Sequence, residues 1–229
     1  MKILAVSDEE CSAYWDHFVR GRLDEYDLII SCGDLKAAYL SFLVTMGKAR
    51  VLYVHGNHDE YYLSHPPEGC DCIDDQLVVY NGLRILGLGG CLWYHPGSFQ
   101  YTEKQMRRRM ARLRLALYRA GGVDIVLSHA PPRGLGDRED RAHMGFESLV
   151  ELLDKYKPQY LLHGHVHLRY GVGNRELQYK DTRIINVSER YELELPDREV
   201  PLKDKGRLIY KTRHKDPGDS WDSFGLFKS

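Results

Sequence analysis

Side chains that bind divalent cations follow five short apolar runs of this sequence. Each run is five residues long, the length of a buried strand, and Asp, Asn, Glu or His comes within a few positions of its end. Carboxylate oxygens and imidazole nitrogens are common protein ligands of such cations. The runs and their polar residues are KILAV (2–6) with Asp8 and Glu10, DLIIS (27–31) with Asp34, RVLYV (50–54) with Asn57, His58 and Asp59, DIVLS (124–128) with His129, and QYLLH (159–163) with His165 and His167.

The segments between these runs are long enough to form helices. We predict helices at about 11–20, 37–46, 102–120 and 147–156, the third with an apolar stripe and an end at Gly121-Gly122. Strands that alternate with helices predict βαβ units with parallel neighbouring strands. Because ligands bind at the carboxyl ends of the strands in such folds, the polar clusters should converge at one edge.

Two predicted hairpins interrupt this alternation. The runs 76–80 and 83–89 flank Asn81-Gly82, which is a strong turn signal. A second hairpin is predicted beyond Tyr170, with its turn at Gly173-Asn174. Antiparallel strands added to a parallel core give a mixed sheet.

The length and composition are typical of one globular domain. The chain has 229 residues, of which 43% are hydrophobic and 28% charged. We predict a domain over 1–195, and the polar residues 196–229 as an extension that wraps it or is partly loose. The net charge of -1 argues against a dedicated nucleic-acid partner, and no apolar run approaches the roughly 20 residues of a membrane span. Five cysteines without a secretory signal predict reduced thiols in the cytoplasm, and a homo-oligomer is left open.

Any one of these polar clusters alone is more typical of a turn, but the five in this order are specific. Together they resemble the calcineurin-like metallophosphoesterases, whose motifs are Asp-x-His, Gly-Asp, Gly-Asn-His-(Asp/Glu), a His after a later strand, and Gly-His-x-His. The resemblance covers roughly residues 1–190. It implies an α/β fold, a four-layer α/β/β/α sandwich with two mixed sheets and a binuclear metal site at the carboxyl ends of the strands.

The resemblance also implies a role for each matching residue. Asp34 would bridge two divalent ions, which would be Mn, Fe, Zn or Mg, with Mn favoured. A hydroxide that bridges the ions would attack phosphorus, with His58 as proton donor and Asp59 hydrogen-bonded to the His58 ring. The other implied ligands are Asp8, residue 10 and His167 for one ion, and Asn57, His129 and His165 for the other.

The first motif departs from the family, because Glu10 stands where the family has His. A glutamate can still bind through oxygen, which is harder than imidazole nitrogen and favours Mn or Mg. Its negative charge would also make the bound water less acidic. Two alternatives stay open: Glu10 points away, so that this metal is loosely held or absent, or Glu9 takes its place.

The predicted function is metal-dependent hydrolysis of a small phosphodiester or phosphomonoester. The alternative is a catalytically weakened relative that binds partners as a scaffold, and the presence of His58 and Asp59 favours the enzyme. A nuclease would need a long basic groove, whereas the sequence offers one basic helix at 102–120. We interpret that helix as a solvated face beside an apolar stripe, with an anion-attracting rim or a subunit contact as alternatives.

Two loops carry further residues that the motifs do not explain. The loop 89–97 is rich in Gly and aromatic residues, and either walls the cleft and stacks a ring or packs Trp93 in the core. Cys70 and Cys72 lie in an acidic loop. Because the sequence has no second Cys pair at zinc-site spacing, we interpret them as loop thiols.

Overall fold

Two β-sheets lie face to face, and helices cover their outer faces. The computed structural model describes residues 1–168 and 174–212. Short 3₁₀ turns lie at Ser12–Tyr14, Asp59–Leu63 and Leu202–Asp204. In chain order the elements are β1 (Lys2–Ser7), β2 (Leu28–Ser31), α1 (Ala37–Met46), β3 (Arg50–Tyr53), β4 (Asp71–Cys72), β5 (Leu77–Tyr80), β6 (Leu83–Leu88), β7 (Cys91–Leu92), β8 (Gln100–Tyr101), α2 (Glu103–Ala120), β9 (Ile125–Ser128), α3 (Glu147–Tyr156), β10 (Tyr160–His163), β11 (Glu176–Tyr179), β12 (Thr182–Asn186), β13 (Glu189–Glu194) and β14 (Leu208–Tyr210).

Both large sheets are mixed, as predicted. The first has the strand order β13-β1-β2-β3-β4, in which β13 is antiparallel and the other strands are parallel. The second has the order β11-β12-β10-β9-β6-β5-β14, with parallel pairing from β12 to β6 and antiparallel pairs at both edges. The strands that precede the polar clusters are β1, β2 and β3 in the first sheet and β9 and β10 in the second. Within each sheet these strands are parallel, so their carboxyl ends lie at one edge of that sheet.

The alternation of side chains along each strand produces the layers. In β1, Ile3 faces the second sheet and joins Leu162 of β10 in a shared core, while Leu4 faces the other way and packs with Leu43 of α1. Helices α2 and α3 cover the outer face of the second sheet through residues such as Met106. The four-layer α/β/β/α sandwich is therefore confirmed.

Three of the four predicted helices are confirmed, and the helix at 11–20 is wrong. That segment has one 3₁₀ turn, and Trp15 ends it with φ −136° and ψ −93°. Trp15 packs edge-on against Tyr39 and Phe42, and Phe18 also contacts Phe42. These contacts hold the chain in an irregular path, because tertiary packing overrides a weak helical preference.

The hairpin at Asn81-Gly82 is confirmed, with both residues at positive φ. The predicted turn at Gly173-Asn174 lies partly outside the described residues, and the structure places a hairpin between β11 and β12. Residues 196–212 add β14 to β5 at the edge of the second sheet. No helix in the described part of the chain has both the length and the apolar composition to cross a membrane.

Candidate metal centre

Three of the predicted ligands adopt left-handed backbone directly after their strands. Asp8 follows β1 with φ 65°, Asp34 lies just beyond β2 with φ 57°, and His165 lies just beyond β10 with φ 65°. This conformation costs a residue with a Cβ about 1–2 kcal/mol, and such strain tends to occur at functional sites. The backbone at these three strand ends is therefore bent sharply where the predicted ligands lie.

Two glycines let these bends approach each other closely. A Cβ on Gly56 would overlap the carboxylate of Asp34, and a Cβ on Gly164 would overlap Ser7 and the carboxylate of Asp8. Both positions must therefore be glycine for the two carboxylates to occupy their places. The strand ends are packed as one assembly around the predicted ligands.

Asp34, His129 and His165 meet at this edge. Each offers a ligand atom, and these atoms lie within 4.8 Å of one another. His129 Nδ1 donates to the Cys32 carbonyl at 2.8 Å, and its Nε2 lies 3.3 Å from Asp34 Oδ2. His165 Nε2 donates to the Ala142 carbonyl at 2.7 Å, which leaves its Nδ1 with a lone pair. Backbone carbonyls thus orient both rings, as they do at many metal-binding histidines.

The electrostatics favour positive charge at this point. Burial would raise the pKa of Asp34, but the charge of His129 and a hydrogen bond to it hold that pKa at about 2. Burial would lower the pKa of His129, but Asp34 raises it to about 9. Burial and the nearby charge of His129 lower the pKa of His165 to about 3, so its ring is neutral, as a ligand must be. A divalent ion would take the place of the Nε2 proton of His129, so these residues fit a metal.

Asn57 and Asp8 complete the buried part of the centre. His129 Nε2 donates to Asn57 Oδ1 at 3.0 Å, so this amide lies beside the three grouped side chains. Asp8 accepts from the backbone N–H of His165 at 2.9 and 3.1 Å through its two oxygens. Burial raises the pKa of Asp8. The structure therefore links five of the predicted ligands by direct contacts.

Asp59 has a different role from the one expected of it. We expected it to orient the His58 ring, but its Oδ2 accepts from the backbone N–H of Gly56 at 2.7 Å and of Asp34 at 2.9 Å. The Gly56 contact is local, three residues back in the chain, whereas the Asp34 contact joins this loop to the segment that follows β2. His58 donates its backbone N–H to Asp34 Oδ1 at 2.8 Å, and its side chain is exposed. Asp59 thus shapes the loop that carries His58.

The remaining predicted ligands are paired elsewhere. Glu10 accepts from the backbone N–H of Lys36 at 3.2 Å, and its second oxygen lies 3.5 Å from Lys36 Nζ. His167 Nδ1 lies 3.1 Å from Glu9 Oε1, and both of these side chains are more than half exposed. The structure therefore does not bring Glu10 and His167 into the buried group. It places Glu9, the alternative to Glu10, beside His167.

Two features near the centre were not predicted as site residues. Asn57 Nδ2 donates to Tyr94 Oη at 3.4 Å, so the loop 89–97 reaches the centre. His55, Cys72 and Asp74 form a second group whose possible ligand atoms lie within 4.8 Å of one another. The aromatic character of the loop signalled the first feature. For the second feature, only His55 gave a signal in the sequence, because it directly precedes a recognisable motif. Cys72 and Asp74 do not.

Comparison with known proteins identifies a family and relatives of this chain. The family model of the calcineurin-like phosphoesterases matches residues 1–169. The chain is 24% identical to the lariat debranching enzyme of Entamoeba histolytica over 78% of this chain and 55% of that protein. It is 31% identical to the human metallophosphoesterase domain-containing protein 1 over 45% of this chain and 31% of that protein. It therefore spans only part of the length of these relatives.

A solved structure shares the fold. The protein TT1561 of Thermus thermophilus superposes with a TM-score of 0.56 at 17% identity, over 82% of this chain and 89% of that chain. At this identity the likeness concerns the fold alone.

Proposed function

Because the chain belongs to the calcineurin-like phosphoesterase family, we propose that it is a metal-dependent hydrolase of a small phosphodiester or phosphomonoester. One observation carries the proposal: Asp34, His129 and His165 lie together at the strand ends, with Asn57 in contact. These side chains come from four separate stretches of the sequence. A carboxylate, two oriented imidazoles and an amide oxygen form a donor set typical of a catalytic metal centre.

Three residues of this chain have separate roles in the proposed reaction. Divalent ions, when bound, lower the pKa of a water and neutralise charge on the phosphoryl oxygens. Asn57 offers its amide to the same oxygens, and its Nδ2 contact with Tyr94 orients it before substrate arrives. His58, exposed at the rim, donates a proton to the leaving oxygen. Asp59 keeps the 56–59 loop in the conformation that presents His58 and Asn57.

The test combines metal content with turnover. The purified protein should carry a divalent metal and should hydrolyse bis(p-nitrophenyl) phosphate when Mn²⁺ is added. Asp34→Asn should lower both metal content and turnover by roughly 10²-fold or more, because it removes a ligand that contacts His129. Asp24→Asn is the matched control, since Asp24 pairs with Lys48 on the exposed surface. Metal-loaded protein that hydrolyses neither diesters nor monoesters would contradict the proposal.

One observation supports a second candidate function. Glu10 and His167 are paired with Lys36 and Glu9, so the ligand set of one ion is not assembled as the family pattern requires. A relative that holds one ion and binds partners without catalysis would have this arrangement. Stoichiometric binding of one metal without turnover, in protein that is folded by circular dichroism, would favour this scaffold over the hydrolase.

A further inference from the structure

Two segments that contact different residues of the candidate metal centre also contact each other. Tyr94 accepts from Asn57 on one side, at 3.4 Å, and Ala142 accepts from His165 on the other, at 2.7 Å. The residues next to them, Trp93 and Arg141, contact each other, with the guanidinium carbon 5.3 Å from the centre of the indole. This distance is within the range of a cation–π interaction. The pair therefore lies beside the centre and joins its two walls.

The wall that carries Trp93 is held in place by its own hydrogen bonds. The buried side chain of Gln100 accepts from the backbone N–H of Tyr94 at 3.2 Å and of His95 at 3.4 Å. Trp93 donates its backbone N–H to the Tyr101 carbonyl at 3.0 Å. A loop that is fixed in this way presents its side chains without a large entropic cost on binding.

Hydrogen bonds of Asp137 and Arg138 hold the wall that carries Arg141. Asp137 accepts from the backbone N–H of Gly134 and of Gly145, each at 2.9 Å, and pairs with Arg133 at 2.8 Å. Arg138 donates to the His167 carbonyl at 2.9 Å. Asp137 thus ties Gly134 to Gly145 across the segment, and Arg138 ties the segment to the motif that carries His165 and His167.

Trp93 is open to solvent in spite of these supports. Its exposed fraction is 43%, so it is not the core residue that one interpretation of the loop expected. An indole held at the rim of a site by a rigid loop offers a planar surface on which another ring can stack. Arg141 is also exposed and adds positive charge beside that surface. Ring and charge together suit a ligand that combines a planar ring with a phosphate.

We propose that Trp93 and Arg141 form a stacking subsite for the nucleobase of a nucleotide-type phosphate ester. Trp93 stacks on the base, and Arg141 attracts the phosphate from the side of His165. The subsite deepens the proposed function, on which it rests, by naming the class of substrate. Its expected contribution is about 10-fold in affinity, the scale of stacking one base on an aromatic side chain.

Binding is tested without turnover by tryptophan fluorescence of the metal-loaded protein. The 5′-methylenephosphonate analogue of adenosine 5′-monophosphate, whose P–C bond is not hydrolysed, should change the emission in a saturable way, whereas the matching analogue of ribose 5-phosphate, which lacks the ring, should not. The change should disappear in Trp93→Phe, which keeps a ring but removes the reporting indole, while Trp15 and Trp221 remain. An equal response to both ligands, or a response that persists in Trp93→Phe, overturns the subsite whether or not the protein is a hydrolase.

Specificity is tested with two diesters that share the p-nitrophenolate leaving group. For thymidine 5′-(p-nitrophenyl phosphate), Trp93→Ala should lower kcat/KM about 10-fold, mainly through KM, while methyl p-nitrophenyl phosphate changes less than about 2-fold. Trp93→Phe should recover most of the loss. Tyr118→Ala is the matched control, because Tyr118 is an aromatic residue of α2 with 84% exposure.

The two proposals fail in different ways. A wild type that hydrolyses neither these diesters nor the corresponding monoesters contradicts the proposed function, and the fluorescence experiment then still decides the subsite. A wild type that hydrolyses both, with equal losses for both in Trp93→Ala, keeps the hydrolase and overturns the subsite, because Trp93 would then only support the wall.

Discussion

Two His–Asp pairs in the described part of the chain are largely shielded from solvent, and they differ in what surrounds them. His129 lies 3.3 Å from Asp34, and His55 lies 2.6 Å from Asp74. Burial opposes the charged form of each group, but within each pair the partner prevails. The pKa of His129 is raised to about 9 and that of His55 to about 10, while those of Asp34 and Asp74 are lowered to about 2. By charge alone the two pairs are alike.

The second pair is closed by its neighbours, whereas the first is open. Asp74 also accepts from the backbone N–H of Gly89 and faces Arg109, whose guanidinium lies 3.4 Å away. The ring of His55 is stacked on Phe99, with centroids 4.1 Å apart. Positive charge is thus already supplied by Arg109, where the first pair would receive it from a metal. A His–Asp pair whose carboxylate already faces a guanidinium needs no cation to balance its charge, which favours the first pair as the metal centre.

Arg109 also corrects the interpretation of the basic helix. It lies on α2, yet it is buried, ion-paired with Asp75 at 2.7 Å and stacked on the ring of Tyr101. Arg107, by contrast, is exposed and pairs with Glu151. The helix is therefore a solvated face for most of its basic residues and an anchor for the closed pair at one of them.

The largest expected effect concerns the candidate metal centre around the first pair, Asp34 and His129. His58→Ala should lower turnover of esters with poor leaving groups by about 10²–10⁴-fold, because it removes the proposed proton donor. Metal content and Tm should stay at the parent values, since the side chain of His58 is exposed. Steady-state kinetics with alkyl and p-nitrophenyl esters check this. His17→Ala, at another exposed histidine, is the control, and parent-like rates on alkyl esters would remove His58 from the mechanism.

The next effect concerns the closed pair and should appear in stability. Asp74→Asn leaves the charges of His55 and Arg109 without their buried partner, which should cost about 3–5 kcal/mol of the free energy of unfolding. For a domain of this size that lowers Tm by about 10 °C. Urea unfolding measures it, with Asp24→Asn as the exposed control. Normal metal content in the folded variant is expected, and its loss would mean that the second group, rather than the first, holds the ion.

Low pH should also weaken the His55–Asp74 pair, with a smaller effect on the free energy of unfolding than Asp74→Asn has. The pKa of Asp74 is lowered to about 2 in the folded protein from an ordinary value of 3.8, so its stabilising effect is present above pH 4 and is lost as the pH falls toward 2. Such a shift corresponds to about 2 kcal/mol. The difference in free energy of unfolding between the parent and Asp74→Asn should therefore shrink by about that amount between pH 4 and pH 2. A difference that stays constant over this range would contradict the lowered pKa.

Much of the fold could be predicted because its signals are local. The helices at 37–46 and 147–156 and the apolar strands show their type within a few residues, and the Asn81-Gly82 turn has one dominant backbone conformation. The helix expected at 11–20 fails because its aromatic residues find partners on α1, which is a tertiary contact that spacing does not reveal.

Likewise, only part of the candidate site could be predicted from the sequence. Asp34, His129 and His165 could be predicted to lie at carboxyl ends of strands, because each follows an apolar run. The strand before Asp34 belongs to one sheet and those before the two histidines to the other, and spacing does not reveal that the ends of the two sheets meet. The role of Asp59 could not, since an Asp next to a His is equally able to bind the ring or the backbone. The orientation of Glu10 is of the same kind, because it depends on whether Lys36 or a cation is the better partner.

The smallest expected effect tests that choice at Glu10. Lys36→Gln removes the ammonium that lies 3.5 Å from the Glu10 carboxylate, an exposed contact of small energy, and should raise the affinity of the more weakly bound Mn²⁺ ion by about 2–3-fold. The reason is that Glu10 is then free to turn toward His167 and offer its oxygen. Titration of Mn²⁺ by calorimetry measures the change, and Lys48→Gln, at another exposed lysine with an acidic partner, controls for the loss of one positive charge. If Lys36→Gln and Glu10→Gln both leave the Mn²⁺ affinity at the value of the Lys48→Gln control, Glu10 is not a ligand and the centre relies on its buried side.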